Sequence, residues 1–173
     1  MAIRAVAATV AGVAIVLTLT SVAAYGDDAK PPQNAARIDI RTPGGHAASL
    51  TPEDLARLPR LAVHTTDRGG APSTYEGPKL VDALAQAGVA VGAKAHGQDF
   101  ARVVVVMGSD GYKAVFSLAE LDDSFTDHAV ILADRKDGST LDAKDGMYRL
   151  IVGEDKRPTR WVRGVTSIDV LAP

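Results

Sequence analysis

Four cations, Lys156, Arg157, Arg160 and Arg163, fall within eight residues and surround Trp161, the only tryptophan of the chain. A guanidinium presents a planar fork that matches phosphate or carboxylate, so this stretch is a candidate anion site. If it runs extended, Arg157, Trp161 and Arg163 share one face and Arg160 takes the other. If it turns helically, Arg157 and Arg160 come together instead. The competing reading is a solvated basic edge that discourages strand pairing. Trp161 could likewise stack on a flat ligand or anchor the core. The four histidines, His46, His64, His96 and His128, form no HxxH or HExxH pattern, so spacing alone gives little support to a metal site. Cysteine is absent, which removes disulfides, thiolate nucleophiles and zinc-thiolate or iron-sulfur centres together. No GxSxG elbow, phosphate-binding lysine loop or GxGxxG turn occurs either, so hydrolase and nucleotide-binding readings lack support.

The whole chain offsets that basic cluster. Nineteen Lys and Arg stand against 21 Asp and Glu, for a net charge of -2, so any anion site is local and no nucleic-acid partner is expected. The 46% hydrophobic and 23% charged fractions fit one soluble globular domain. Ahead of it, Arg4 precedes an uncharged run from Ala5 to Ala24, after which YGDDAKPPQ restores charge and proline. That order predicts a secretory signal over residues 1–26, cut after Ala24 or Gly26, with an uncleaved membrane anchor as the alternative. The expected location is therefore periplasmic or extracellular, with membrane contact only if the segment stays attached. Residues 27–36 are polar and proline-containing, which suits a flexible leader, and residues 37–173 form the domain.

Within that domain, RIDIR at 37–41 alternates as a half-buried strand does, ending at Pro43, Gly44 and Gly45. Thr51 is placed to cap a short helix with Pro52 at its first position, Glu53 and Asp54 in its first turn and Pro59 as its stop. Arg60–Thr66 is strand-like, and the Gly, Pro and Ser of DRGGAPST predict a loop that follows it. Leu80, Val81, Leu84 and Ala87 share one helical face, with Gly88 as the stop. The β-branched run 101–107, turned by Ser109-Asp110-Gly111 into YKAVFS, predicts a hairpin. Ser117 then caps LAEL, and strands follow at 129–134, 147–152 and 165–171. Lys136-Asp137-Gly138 and Asp145-Gly146 read as ordinary turns. Short helices between hairpin-linked strands give an α+β class with a mixed, β-rich sheet.

The pieces YEGPKLVDALAQAGV (75–89), SDGYKAVFSLAEL (109–121), VILADRKDGSTLDAKDGMYRLIV (130–152) and RPTRWVRGVTSIDV (157–170) together resemble the molybdopterin-binding domain of the sulfite oxidase family and its small stand-alone periplasmic relatives. Their order and spacing carry the resemblance, and the sharpest match is Arg157, Arg160 and Trp161. The resemblance implies that fold and a pocket for a pterin that carries a phosphate. Family enzymes hold molybdenum through a cysteine thiolate, which here would fall near Val63 to Asp67, where the sequence is VHTTD. Without a soft sulfur ligand, oxo-transfer of the family type loses its metal anchor, which argues against molybdenum.

The sequence thus points to an exported binding module for a pterin-like or other flat anionic ligand. Its expected site residues are Arg157, Arg160, Trp161, Arg163 and His64, with no catalytic residue assigned. His64 enters because the resemblance sets it beside the missing thiolate. Two alternatives stay open: a molybdopterin-dependent oxidoreductase with a non-cysteine metal ligand, and a periplasmic haem-binding protein with His64 on the iron and arginines on the propionates. A signalling or redox protein is the expected macromolecular partner. The loop Asp67-Arg68-Gly69-Gly70 is a further source of backbone donors, against plain flexibility. Asp110, Gly111 and Tyr112 read first as turn chemistry and second as ligand contacts.

Overall fold

A computed structural model describes residues 37–66 and 70–172. The expectations for the export segment, the leader and the loop residues Asp67, Arg68 and Gly69 lie outside the described residues.

Hydrophobic alternation sets the strands. β1 (Ile38–Arg41) points Ile38 and Ile40 inward and Asp39 and Arg41 outward. It turns back through the two glycines at 44 and 45 into β2 (Ala47–Leu50), which AASL at the sequence level does not announce. α1 (Pro52–Ala56) carries the expected cap: the Thr51 hydroxyl accepts from the Asp54 amide, and the Asp54 carboxylate accepts from the Thr51 amide at 3.0 Å. The carboxylate also accepts from the Thr51 hydroxyl at 2.9 Å, and the bonds it accepts from the Thr51 amide and hydroxyl hold the Asp54 carboxyl below its usual range.

β3 (Arg60–Thr66) and β4 (Pro72–Pro78) pair antiparallel along their whole length. The loop expected through residue 74 is therefore shorter, because Pro72, Ser73 and Thr74 already belong to β4. α2 (Leu80–Gln86) buries Leu80, Val81, Ala83 and Leu84 and stops before Gly88, as its spacing predicts. Two 3₁₀ turns follow, at Gly92–Lys94 and Gly97–Ala101. β5 (Val103–Gly108) and β6 (Lys113–Ser117) form the expected hairpin, and Ser117 caps α3 (Leu118–Leu121). β7 (Val130–Ala133) is buried throughout. The turn read at KDGST is a small hairpin of its own, β8 (Arg135–Lys136) and β9 (Ser139–Thr140). A 3₁₀ turn at Ala143–Asp145 leads to β10 (Arg149–Val152); another at Pro158–Arg160 leads to β11 (Val165–Leu171).

Three sheets result. One has the order β2-β1-β11-β5-β6, in which β1 runs parallel to β11 and the other neighbours are antiparallel. The second is β3-β4-β8-β9, and the third is the pair β7-β10. Every residue of β7 and β10 is buried, so both faces are covered, which is why their sequences, VILA and RLIV, do not alternate. Ile40, Val106, Ile168, Leu84, Ile131 and Leu150 come from different elements and meet in one continuous core. The architecture is the α+β, β-rich class expected from the sequence.

Candidate functional site

β10 is the element that builds the site. A strand covered on both faces has no outlet for a charge, yet its first residue is Arg149, only 2% exposed. An arginine is buried this deeply only when it is paired. One turn earlier in the chain, the carboxylate of Asp145, equally buried, lies 3.1 Å from the Arg149 guanidinium. The same guanidinium nitrogen donates to the Tyr75 hydroxyl, also at 3.1 Å. Its Cζ lies 5.2 Å from the Trp161 ring centre and 5.5 Å from that of Tyr75, and the two rings meet edge to face. Arg149 is thereby fixed beside two aromatic rings, at the wall of a surface hollow.

That hollow has a volume of about 140 Å³ and is lined by Asp110, Tyr112, Arg149, Trp161 and Arg163. Three segments supply the lining, and backbone hydrogen bonds tie them together. Ser109 in the β5–β6 turn donates to Gly164, Gly164 donates to Asp145, and Leu150 donates to Val162, at 2.7 to 2.8 Å. Gly146 and Gly164 make this possible. Both have positive φ, and a Cβ on Gly146 would stand 2.5 Å from the Gly164 Cα. The backbones touch where any side chain would hold them apart.

Within the β5–β6 turn, Asp110 Oδ1 accepts from the Tyr112 amide at 2.9 Å, the turn chemistry expected of Asp-Gly. The Tyr112 hydroxyl donates to the Thr159 carbonyl, so its half-exposed ring spans from this turn to the Pro158–Arg160 turn. Arg163 brings its Nε to 3.0 Å from the second oxygen of Asp145. One buried carboxylate therefore orients both arginines of the hollow.

The residues singled out from the sequence divide around this arrangement. Trp161 and Arg163 line the hollow, and Trp161 is also a core anchor, buried with its Nε1–H donating to Val152 at 3.1 Å. Arg160 does not line it. Its fork grips Asp155 at 2.6 and 2.9 Å and Glu120 at 2.6 Å, and it covers the Phe116 ring, so it fastens the loop after β10 to α3. These two carboxylates, Asp155 above all, raise the pKa of Arg160 further. Arg157 is exposed and does not line the hollow. The 3₁₀ turn at Pro158–Arg160, with Arg157 at its N-cap, breaks the extended run that would set Arg157, Trp161 and Arg163 on one face.

His64 sits on the face of β3 opposite Val63, which faces the core beside Tyr75. Its Nδ1 meets the Thr74 hydroxyl at 2.9 Å in an exposed position, and it does not line the hollow. Arg149, Asp145 and Tyr75 were not singled out from the sequence, and Asp145-Gly146 was read as a plain turn. The available signal was an arginine inside the otherwise apolar MYRLIV, with an acidic residue four positions earlier.

The donor set does not fit a thiolate-held oxo-transfer metal. The chain has no sulfur ligand of that kind, His64 is directed outward to a threonine, and no group of three metal-ligating side chains occurs among the described residues. Sites that enclose a whole cofactor usually run to about 300–1,000 Å³, so this hollow has room for one end of a cofactor-sized molecule and not for the whole.

No family profile and no curated protein match the chain. Among solved structures, it is similar to the sulfane dehydrogenase SoxCD from Paracoccus pantotrophus, with a TM-score of 0.58 and 20% sequence identity. The match covers 78% of this chain and 37% of that one, so this chain spans little more than a third of its neighbour's length. At that identity the likeness is one of fold. It agrees with the sulfite-oxidase-type arrangement expected from the sequence.

Proposed function

We propose that this chain is an exported binding module that holds one end of a pterin-like or other flat anionic ligand in the hollow between the β5–β6 turn, the start of β10 and the segment 161–164. The observation that carries the reading is Arg149, a guanidinium withdrawn from water, in cation–π contact with Trp161 and Tyr75, and still lining the hollow. A charge fixed in this way has lost its rotamer freedom before any ligand arrives, so an incoming acceptor group pays little to order it. Arg163, half exposed, adds a second fork at the rim, and Tyr112 offers a ring over which the remainder of a flat molecule can lie. Export is supported by the uncharged run Ala5–Ala24 behind Arg4. No helix among the described residues is long and apolar enough to cross a membrane.

The ligand set proposed from the structure differs from the sequence-based one. Arg149 and Arg163 take the place of Arg157 and Arg160, and Trp161 remains. Isothermal calorimetry with pterin-6-carboxylate tests this. Arg163→Ala should weaken binding about 10- to 150-fold, the range for one hydrogen bond to a charged group, while Arg157→Ala leaves it unchanged. Equal losses from both variants, or none from Arg163→Ala, would remove the hollow as the binding site.

A further inference from the structure

A strand at the end of a sheet leaves alternate backbone N–H and C=O groups without a partner, and folded chains blunt such edges with lysine, proline, a bulge or a very short strand. Three end strands here are short: β2 has four residues, β9 two, and β6 five, with the Ser117 amide already donating to Glu120. β3 ends its sheet with seven residues, RLAVHTT, and pairs with β4 without a break in register. Its one permanent charge, Arg60, is gripped by Asp134 through both terminal guanidinium nitrogens and does not guard the edge.

β4 fixes which groups of β3 are open. Thr74 and Glu76 bond toward β8, their carbonyls accepting from the Asp137 and Asp134 amides. Ser73, Tyr75 and Gly77 therefore bond toward β3, where their partners are Thr65, Val63 and Leu61. The backbone groups of Arg60, Ala62, His64 and Thr66 point the other way, and no backbone hydrogen bond reaches them among the described residues. The side chains of the same four residues are exposed.

We infer that β3 pairs antiparallel with β3 of a second copy about a two-fold axis through Val63, which joins two four-stranded sheets into one of eight strands. The edge is complementary to itself in that register. Ala62 falls opposite His64 of the partner subunit, and Arg60 opposite Thr66 of the partner subunit, so no like charges meet. Slipping by two residues either way sets Arg60 against His64, or His64 against itself, and both are worse. Ala62 also completes a charge match. Its neighbour on β4 is Glu76, so the row reads Glu76, Ala62 and then His64 of the partner subunit. Two strand spacings, about 10 Å, separate acid from imidazole, a span that two long side chains close over an alanine but not over a bulky residue. His64 Nδ1 meets the Thr74 hydroxyl, which leaves Nε2 to donate across the joint. An unrelated extended segment would gain the backbone bonds without these matched side chains. The joint is one ladder, smaller than the standard interface of about 1,600 Å², so the dimer depends on concentration.

Sedimentation of the full chain, with amide exchange read residue by residue, tests the pairing. The chain should run as a dimer at about 100 μM and as a monomer at about 1 μM. The Ala62 and His64 amides should exchange at least about tenfold more slowly at the higher concentration, while the Val63 amide, inside the β3–β4 ladder, is protected at both. Ala62→Pro removes an amide that bonds nothing within one copy, and Ala62→Lys sets a cation beside Glu76 that fills the gap. Each should keep the parent's circular dichroism and give monomer at both concentrations; if the proline variant does not fold, the lysine variant decides.

A parent chain that stays monomeric at about 100 μM overturns the proposal, as does a dimer that survives Ala62→Lys or leaves the Ala62 and His64 amides exchanging freely. Protection of those amides only on adding an unrelated extended peptide also overturns it, and makes β3 a receptor for a foreign strand. None of these results depends on what the hollow binds.

Discussion

Replacing Arg149 by methionine should destabilise the domain by about 3–4 kcal/mol. Breaking a buried ion pair by removing one partner costs about 3–5 kcal/mol, because the remaining charge stays desolvated. Here the remaining charge is Asp145, and it keeps one cation, Arg163, at 3.0 Å, so the electrostatic loss falls at the low end of that range. Arg163 is 46% exposed, however, and its compensation is screened by water. The substitution also removes two cation–π contacts, on Trp161 and Tyr75, each worth about 1–2 kcal/mol where desolvated. Thioether contacts with the same rings return about 0.3–1.5 kcal/mol. For a domain of this length, about 3 °C of melting temperature corresponds to 1 kcal/mol, so the expected drop is about 10 °C.

Thermal unfolding followed by far-ultraviolet circular dichroism measures that drop, and the double variant Asp145→Asn with Arg149→Met isolates the pair. Once both charges are gone, most of the loss should return, giving a coupling of about 2 kcal/mol or more. A single variant that melts within about 3 °C of the parent, or a double variant no better than the single one, would refute the argument that a desolvated pair fixes the floor of the hollow.

Two further outcomes follow from other parts of the fold. Burial of Tyr148, aided by the nearby Asp134 carboxylate, pushes its phenol from an ordinary 10.0 up to about 12. The folded chain holds that proton more tightly than the unfolded one, so the stabilisation is complete below about pH 10 and lost as pH rises through 12; about 2–3 kcal/mol should vanish over that window in denaturant titrations, and Tyr148→Phe should flatten the profile. Gly77→Ala should cost about 3 kcal/mol or more in chemical denaturation, since a Cβ there would fall 2.1 Å from the Leu132 carbonyl oxygen, a backbone atom of the packed strand β7 that cannot swing aside.

What could be read from the sequence follows from how each residue's role is distributed. β11 was legible residue for residue, since Val165–Leu171 is rich in β-branched side chains and its neighbours are turn formers. α1 was legible from its cap alone. β2 was not, because AASL has neither alternation nor branching; it forms because β1 offers an unpaired edge one tight turn away. The start of β4 was hidden for a similar reason: Pro72 and Ser73 look like loop, yet they complete a pairing with Thr66 and Thr65 that begins far up the strand.

The site divides in the same way. Trp161 and Arg163 stood out by local charge density, whereas the direction of each arginine depended on a 3₁₀ turn that periodicity arguments do not resolve. Arg149 was invisible to that search because a single arginine in an apolar run has no neighbours of its kind. Its meaning comes from Tyr75 and Trp161, which lie far from it in the chain or on another segment.

Trp161 has one more consequence. As the sole tryptophan, buried in the core and forming a wall of the hollow, it dominates the intrinsic emission of the chain. Occupancy of the hollow and loss of the native state will therefore shift the same optical band, and any titration read at that wavelength needs a companion signal from the backbone to tell saturation from melting.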